Sequence, residues 1–145
     1  MRAPTSARHK KIYVSGKLCY YLYYACDFLF EDIDEFDFAD LLNMRPLHHE
    51  EKEYGKKKKK KCKIKICSKQ EDKFCYLLYM ISETLQFPIE ERDIWLDFIC
   101  EATGLSKSYY RSYHLRVKRS DKKDDENFVS EIGQVFENSK PYRNT

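Results

Sequence analysis

With 145 residues, 42 % of them apolar and 15 % aromatic, the chain is long enough to bury a core and too aromatic to be compositionally disordered. Only four Gly and four Pro are present, which favours long helices over many short strands. The net charge of +3 hides blocks: ten acids against two bases from Asp27 to Tyr54, nine lysines and no acid from Gly55 to Lys69, and seven bases with one acid from Leu105 to Lys123.

Residues 1–11 read as a loose basic tail. The first 26 residues contain no acid and end in the apolar run Leu18–Cys26, a composition shared with targeting presequences. That run is dominated by Tyr and lacks a small-x-small cleavage site, so an intracellular chain is expected, with export or organelle import as the competing reading. It also falls short of the ~20 apolar residues a bilayer span requires, so no integral membrane insertion is expected. Lys11–Val14 suits a short strand. Lys17–Phe30, apolar almost all round, predicts a central buried helix. Asp32–Met44 predicts a second, acidic helix with Ile33, Phe36, Leu41 and Leu42 as its apolar members, stopped by Pro46. Residues 48–61 predict a mobile lysine-rich loop. Cys62–Cys67 alternates with period two and could pair with Lys11–Val14 as a ribbon.

The second half carries clearer punctuation. Ser68 and Glu71 have capping-box spacing. Phe74, Leu77, Leu78, Ile81 and Leu85 follow at helical spacing. Pro88 stops that helix and can open the next, whose Glu90, Glu91 and Asp93 suit the positive end of the dipole. Trp95, Phe98, Ile99 and Ala102 form its core stripe, and Gly104 is its C-cap. Ser106 then caps a helix predicted over 107–119. Phe128, Ile132, Val135 and Phe136 predict a last helix closing over the core. The expected fold is therefore mainly α. It is a single domain, a compact bundle of about five helices that includes a helix-turn-helix-like unit, with room for a short two-stranded β ribbon. Residues 17–29 and 73–85 also match at a shift of 56, sharing Lys, Cys, Tyr, Leu, Tyr and Leu, and the match continues from Ile33, Glu35 and Asp37 to Ile89, Glu91 and Asp93. Duplication of a helical pair and chance matching of two Tyr-rich amphipathic helices both account for it.

The helix-turn-helix spacing rests on Cys100 as the small residue, Gly104 as the turn, and Leu105 and Tyr110 as apolar seats for the second helix. Thr103 departs from the pattern, where an apolar residue is usual. On a continuous helix over 107–119, Lys107, Arg111, His114 and Lys118 share one face, opposite Tyr110, Tyr113 and Val117. A basic stripe over an aromatic seat is what a recognition helix needs, since cations neutralise phosphates and Arg can read guanine edges. The candidate DNA or RNA contacts are Ser106, Lys107, Arg111, His114, Arg116, Lys118 and Arg119, with Lys122 and Lys123 extending the positive field. Any surface helix with a basic outer face would look the same. Pairing of these groups with Asp34, Asp37 or Glu91 would remove the reading.

Lys56, Lys57, Lys58, Lys59, Lys60 and Lys61 have the composition of a nuclear import signal or a phosphate-contact loop, which favours the nucleus over the cytoplasm. Cys19, Cys26, Cys75 and Cys100 sit inside apolar helical patterns, where reduced Cys acts as a small hydrophobe, so free thiols and a reducing compartment are expected. His48, His49, Cys62, Cys67 and Cys75 lack the paired spacing of structural zinc, and no metal or cofactor is expected. No nucleotide-binding, hydrolase or zinc-protease motif occurs, and Asp34, Glu35 and Asp37 read as a solvated acidic face rather than paired catalytic carboxylates. The expectation is a non-catalytic binding module for nucleic acid. The alternative is a helical protein–protein adaptor or host-interaction protein using its acidic 27–42 face or an aromatic surface.

Overall fold

The computed structural model describes residues 12–46 and 64–142, so the basic tail and the lysine run Lys56–Lys61 lie outside the described residues. Among the described residues the chain is mainly helical. Six helices follow one another: α1 Gly16–Cys26, α2 Glu35–Leu42, α3 Glu71–Thr84, α4 Ile89–Thr103, α5 Lys107–Tyr113 and α6 Lys123–Asn138, with short 3-10 turns at Asp27–Leu29 and Lys140–Tyr142. None of them is long and apolar enough to cross a membrane.

Local chemistry fixes most of the ends. The Ser15 hydroxyl accepts from the Leu18 N–H and the Asp34 carboxylate from the Asp37 N–H, supplying partners that the first turns of α1 and α2 lack. The expected capping box at Ser68 does not form. Lys69 adopts a left-handed backbone (φ 70°), which turns the chain there, and α3 starts at Glu71 with Gln70 at its N-cap. At the other end of α3, Arg92 reaches back to the Glu83 carboxylate (2.9 Å) and to the Ser82 and Phe87 carbonyls (3.3 and 3.2 Å), satisfying acceptors that a helix end leaves open. Pro88 serves as the N-cap of α4 rather than its first helical residue.

The core runs between the two helical pairs. Leu18 and Leu22 of α1, Phe38, Leu41 and Leu42 of α2, Phe74, Leu77, Leu78 and Ile81 of α3, and Trp95 and Ile99 of α4 are fully buried. α6 lays Phe128, Ile132 and Phe136 onto this core, and the ring of Phe128 meets those of Phe28 and Tyr76 edge-on. The 56-residue shift relates the two pairs element by element: α1 falls on α3 and α2 on α4, and Cys19 and Leu22 are buried as Cys75 and Leu78 are. α1 departs from the buried helix expected of it. It ends at Cys26, and Tyr20, Tyr21, Tyr24 and Phe28 face solvent.

The predicted ribbon is absent among the described residues, and the reason is local competition for hydrogen bonds. The Asn43 side-chain amide accepts from the Val14 N–H (2.8 Å) and donates to the Val14 carbonyl (3.1 Å), occupying both groups a ladder would use. Residues 64–67 instead run along the end of α1. Phe30 and Ile66 form an isolated antiparallel bridge, flanked by Glu31 N–H to the Lys65 carbonyl and Cys67 N–H to the Leu29 carbonyl.

Burial leaves a signature in the thiols. Desolvation pushes Cys19 and Cys75 up to about 12 and raises Cys26 further, whereas an unfolded thiol ionises near 9.0. A raised thiol pKa gives stability that is complete below pH 9 and lost as pH climbs, because only the unfolded chain releases its protons there. Urea midpoints should therefore hold level to about pH 8 and then fall, at up to about 1.4 kcal/mol per thiol per pH unit between pH 9 and 12. Level midpoints to pH 11 would contradict this burial.

Candidate nucleic-acid interface

The interface candidate grows out of the α4–α5 corner. Gly104 takes φ 81°, a left-handed value that suits glycine, and its N–H bonds to the Cys100 carbonyl at 2.8 Å. Thr103, the residue that breaks the apolar pattern, is buried with its hydroxyl donating to the Ile99 carbonyl at 2.8 Å, so its polar atom is satisfied within α4. Ser106 caps α5 by accepting from the Tyr109 N–H at 3.0 Å. Leu105 and Tyr110 are buried and seat α5 on the body. Gly104→Ala should cost about 1–2 kcal/mol through left-handed strain, read as a shift in urea midpoint. An unchanged midpoint would mean the corner relaxes freely.

The predicted 107–119 helix is only half as long. α5 ends at Tyr113, and residues 114–119 continue as turns. Tertiary contacts hold the turns. Asp72 of α3 accepts from the Tyr109 hydroxyl (2.5 Å) and pairs with Arg116 (3.3 Å), whose guanidinium lies 4.6 Å from the centre of the Tyr113 ring, and Val117 is buried. The Asp72 hydrogen bond raises the Tyr109 phenol well above its ordinary value, with burial adding to the effect.

This shortening breaks up the expected one-face ridge. Lys107 is already paired, with Asp93 at 2.6 Å and Asp97 at 2.8 Å on α4. The hydrogen bond to Asp93, then that to Asp97, raises the Lys107 ammonium, and the same bond holds Asp93 below the usual carboxylate range. His114 is half-buried. Its ring stacks on Tyr110, lies 5.0 Å from that of Tyr79, and places Nδ1 3.0 Å from the Tyr110 carbonyl oxygen, so it packs rather than projects. Arg111, Lys118 and Arg119 are exposed, as are Lys122 and Lys123 at the start of α6, and none of the five has an ion pair among the described residues.

Two of these exposed cations, Arg119 and Lys122, line a polar groove of about 870 Å³ between the N-terminal ends of α3 and α6 and the segment 112–122. Lys69, Arg116, Arg119 and Lys122 line it, against Asp72 and Asp124. Asp124 is engaged from within, accepting from the buried Lys73 ammonium at 2.6 Å, with Asp125 at 3.7 Å from the same nitrogen. Sequence reasoning missed Lys69, Asp72, Asp93 and Asp97. The i, i+4 spacing of Asp93 and Asp97 on one face of α4 was the available signal, but which cation they meet depends on how α4 and α5 cross. Among the described residues, no ion pair joins Asp34 or Glu91 to the predicted contacts. No cluster of three or more metal-competent side chains occurs among the described residues; His48, His49 and Cys62 lie outside them.

Fold and surface together define a small, mainly helical chain with an exposed cationic patch beside a polar groove. No family model, no curated protein and no solved structure matches it.

Proposed function

We propose that this chain is a non-catalytic binding module that contacts nucleic acid through the cations of its 107–123 segment. The observation that carries this reading is the set of five exposed cations without an ion pair among the described residues, Arg111, Lys118, Arg119, Lys122 and Lys123, gathered where α5 turns into α6. Cations free of carboxylate partners can exchange their counterions for phosphates at little desolvation cost, and phosphate contact dominates nucleic-acid affinity. The α4–Gly104–α5 corner supports a helix-turn-helix-like role in which α5, though only seven residues long, presents Arg111 to a groove. Arg116 and Arg119 line the flanking channel for the backbone. Lys107 and His114 hold α5 in place and make no contact in this scheme. The Lys56–Lys61 run would add phosphate contacts and a nuclear address.

Fluorescence anisotropy with labelled duplex DNA tests the reading. Affinity should fall steeply as salt rises from ~50 to ~200 mM, by about 500-fold if all five cations meet phosphates. Protein that ignores DNA and RNA at ~50 mM salt overturns it.

A second reading, a helical protein–protein adaptor, is favoured by one specific observation: Tyr20, Tyr24 and Phe28 of the α1 region are 44 %, 58 % and 46 % exposed. Half-exposed aromatics grouped on one helix are characteristic of protein contact surfaces. Nuclease-resistant recovery of a defined partner, lost on Tyr24→Ala, would support it over the first.

A further inference from the structure

α1 carries an aromatic stripe whose first two members, Tyr20 and Tyr24, the other described residues leave exposed; the third, Phe28, meets the Phe128 ring and lies 6.0 Å from the Lys73 ammonium. Tyr20, Tyr24 and Phe28 recur every four residues along α1 and its 3-10 extension. Their geometry is organised in advance. The Tyr20 ring packs edge-on against Tyr21 and Tyr24, with centroids 5.2 and 4.9 Å apart, and Tyr24 does the same with Tyr23 at 5.0 Å. Tyr23 is fixed in turn by its hydroxyl, which donates to the Ile33 carbonyl at 3.0 Å.

Acids lie close by. Asp27 follows Tyr24 by three residues at the end of α1, and the Tyr23–Ile33 hydrogen bond brings Asp34 and Glu35 to the same end of the helix. Desolvation and then the fields of these neighbours raise the Tyr23 phenol. No cation pairs with Asp27 or Glu35 among the described residues. An aromatic ring beside a carboxylate is a seat for a guanidinium or ammonium. This chain fills such seats itself: Arg116 lies over Tyr113 and pairs with Asp72, and Lys73, paired with Asp124, lies over Phe28. It also covers the corresponding face of α3. At the 56-residue shift Tyr20 falls on Tyr76, which is buried and meets Phe128 of α6, and Tyr23 falls on Tyr79, which meets His114 just after α5.

The missing complement is on the same chain. Arg111, Lys118, Arg119, Lys122 and Lys123 form an exposed positive surface, and among the described residues no ion pair joins it to Asp27, Asp34 or Glu35 within one chain. We propose that the acidic, tyrosine-rich face of α1 seats the Arg111–Lys123 cationic segment of a second copy of this chain. The two surfaces differ, so the contact is heterologous and leaves one free face at each end, and association propagates head to tail. A second copy fits better than nucleic acid, because Asp27 and Glu35 repel phosphate. It fits better than an unrelated protein because both complementary surfaces occur on every copy. The contact draws on the same cations as the nucleic-acid reading, so the two compete for one surface and are tested separately.

Sedimentation velocity of the nuclease-treated full chain tests it. At ~50 mM salt the average mass should rise past that of a dimer as protein is raised toward ~1 mM, and return to monomer at ~500 mM salt, where exposed charges are screened within a few ångströms. Asp27→Lys with Glu35→Lys, and separately Arg111→Glu with Arg119→Glu, should each stay monomeric while keeping wild-type circular dichroism. Mixed one to one, the two variants should associate again, since the intact cationic segment of one meets the intact acidic face of the other and the two reversed faces are themselves of opposite charge. Tyr24→Ala should weaken association roughly 3–5-fold without touching a charge. A wild-type chain that stays monomeric, assembly indifferent to either reversal, or a mixture that does not associate overturns the proposal. So does an α1 face that binds an oligo-arginine peptide while the chain fails to self-associate, because the occupant is then another protein. The Asp27→Lys, Glu35→Lys variant retains every proposed phosphate contact, so DNA binding by that monomer is judged separately from self-association.

Discussion

Arg111→Ala combined with Lys118→Ala should weaken duplex DNA binding about 100-fold at ~50 mM salt and make the logarithmic salt slope shallower by roughly 1.8, since each phosphate contact contributes about 0.9 to that slope. Both side chains are exposed and free of ion pairs among the described residues, so alanine removes a phosphate contact without orphaning a partner. The remaining exposed cations, Arg119, Lys122 and Lys123, keep the loss short of abolition. Lys107→Ala is the contrasting case. Its ammonium is shared between Asp93 and Asp97, so the variant should leave the salt slope unchanged while lowering stability slightly. Undiminished binding by the double variant would remove the α5 segment as the contact. A slope that drops with Lys107→Ala would mean that the pairing with α4 opens on binding.

Trp95→Ala should destabilise the chain by about 3–5 kcal/mol, a large part of the 5–15 kcal/mol typical of a small domain. Trp95 is the largest fully buried side chain. It packs edge-on against Phe87, with centroids 5.0 Å apart, and its indole N–H donates to the Leu42 carbonyl at the end of α2 at 2.7 Å. One side chain thereby locks the α1–α2 pair to the α3–α4 pair. Trp95→Phe separates the two contributions. It keeps most of the apolar volume but strands a buried helix-end carbonyl, which should cost about 1–3 kcal/mol. Urea denaturation followed by far-ultraviolet circular dichroism measures both, since the variants lack the only tryptophan. An alanine variant with a wild-type midpoint would show that the two pairs are not coupled through this residue.

Features set by a few neighbouring residues were legible in the sequence. Helical periodicity marked α3, α4 and α6, and Gly104 and Ser106 marked the corner between α4 and α5, because a left-handed C-cap and a hydroxyl N-cap act within one turn of the chain. The candidate site was only half legible for the same reason. Its cations could be read off, but not which of them the fold would neutralise: Lys107 is taken by two carboxylates ten and fourteen residues upstream, and Arg116 by one forty-four residues upstream. α5 has no breaker between Tyr113 and Arg119, and its end is set by Asp72 and by the burial of Val117. Tyrosine misled the reading of α1, since its ring is apolar enough to bury and its hydroxyl polar enough to stay wet.

What the sequence determined by itself is a mainly helical chain, the position of its capped corners and the sign of each charge block. Only the tertiary structure decided that Asn43 would take the backbone groups of Val14 in place of a ribbon, that Phe30 would meet Ile66, and which cations and tyrosines would remain in solvent. The division is physical: periodicity and capping depend on residues within a turn or two, whereas pairing and exposure depend on which distant helix arrives to cover a face.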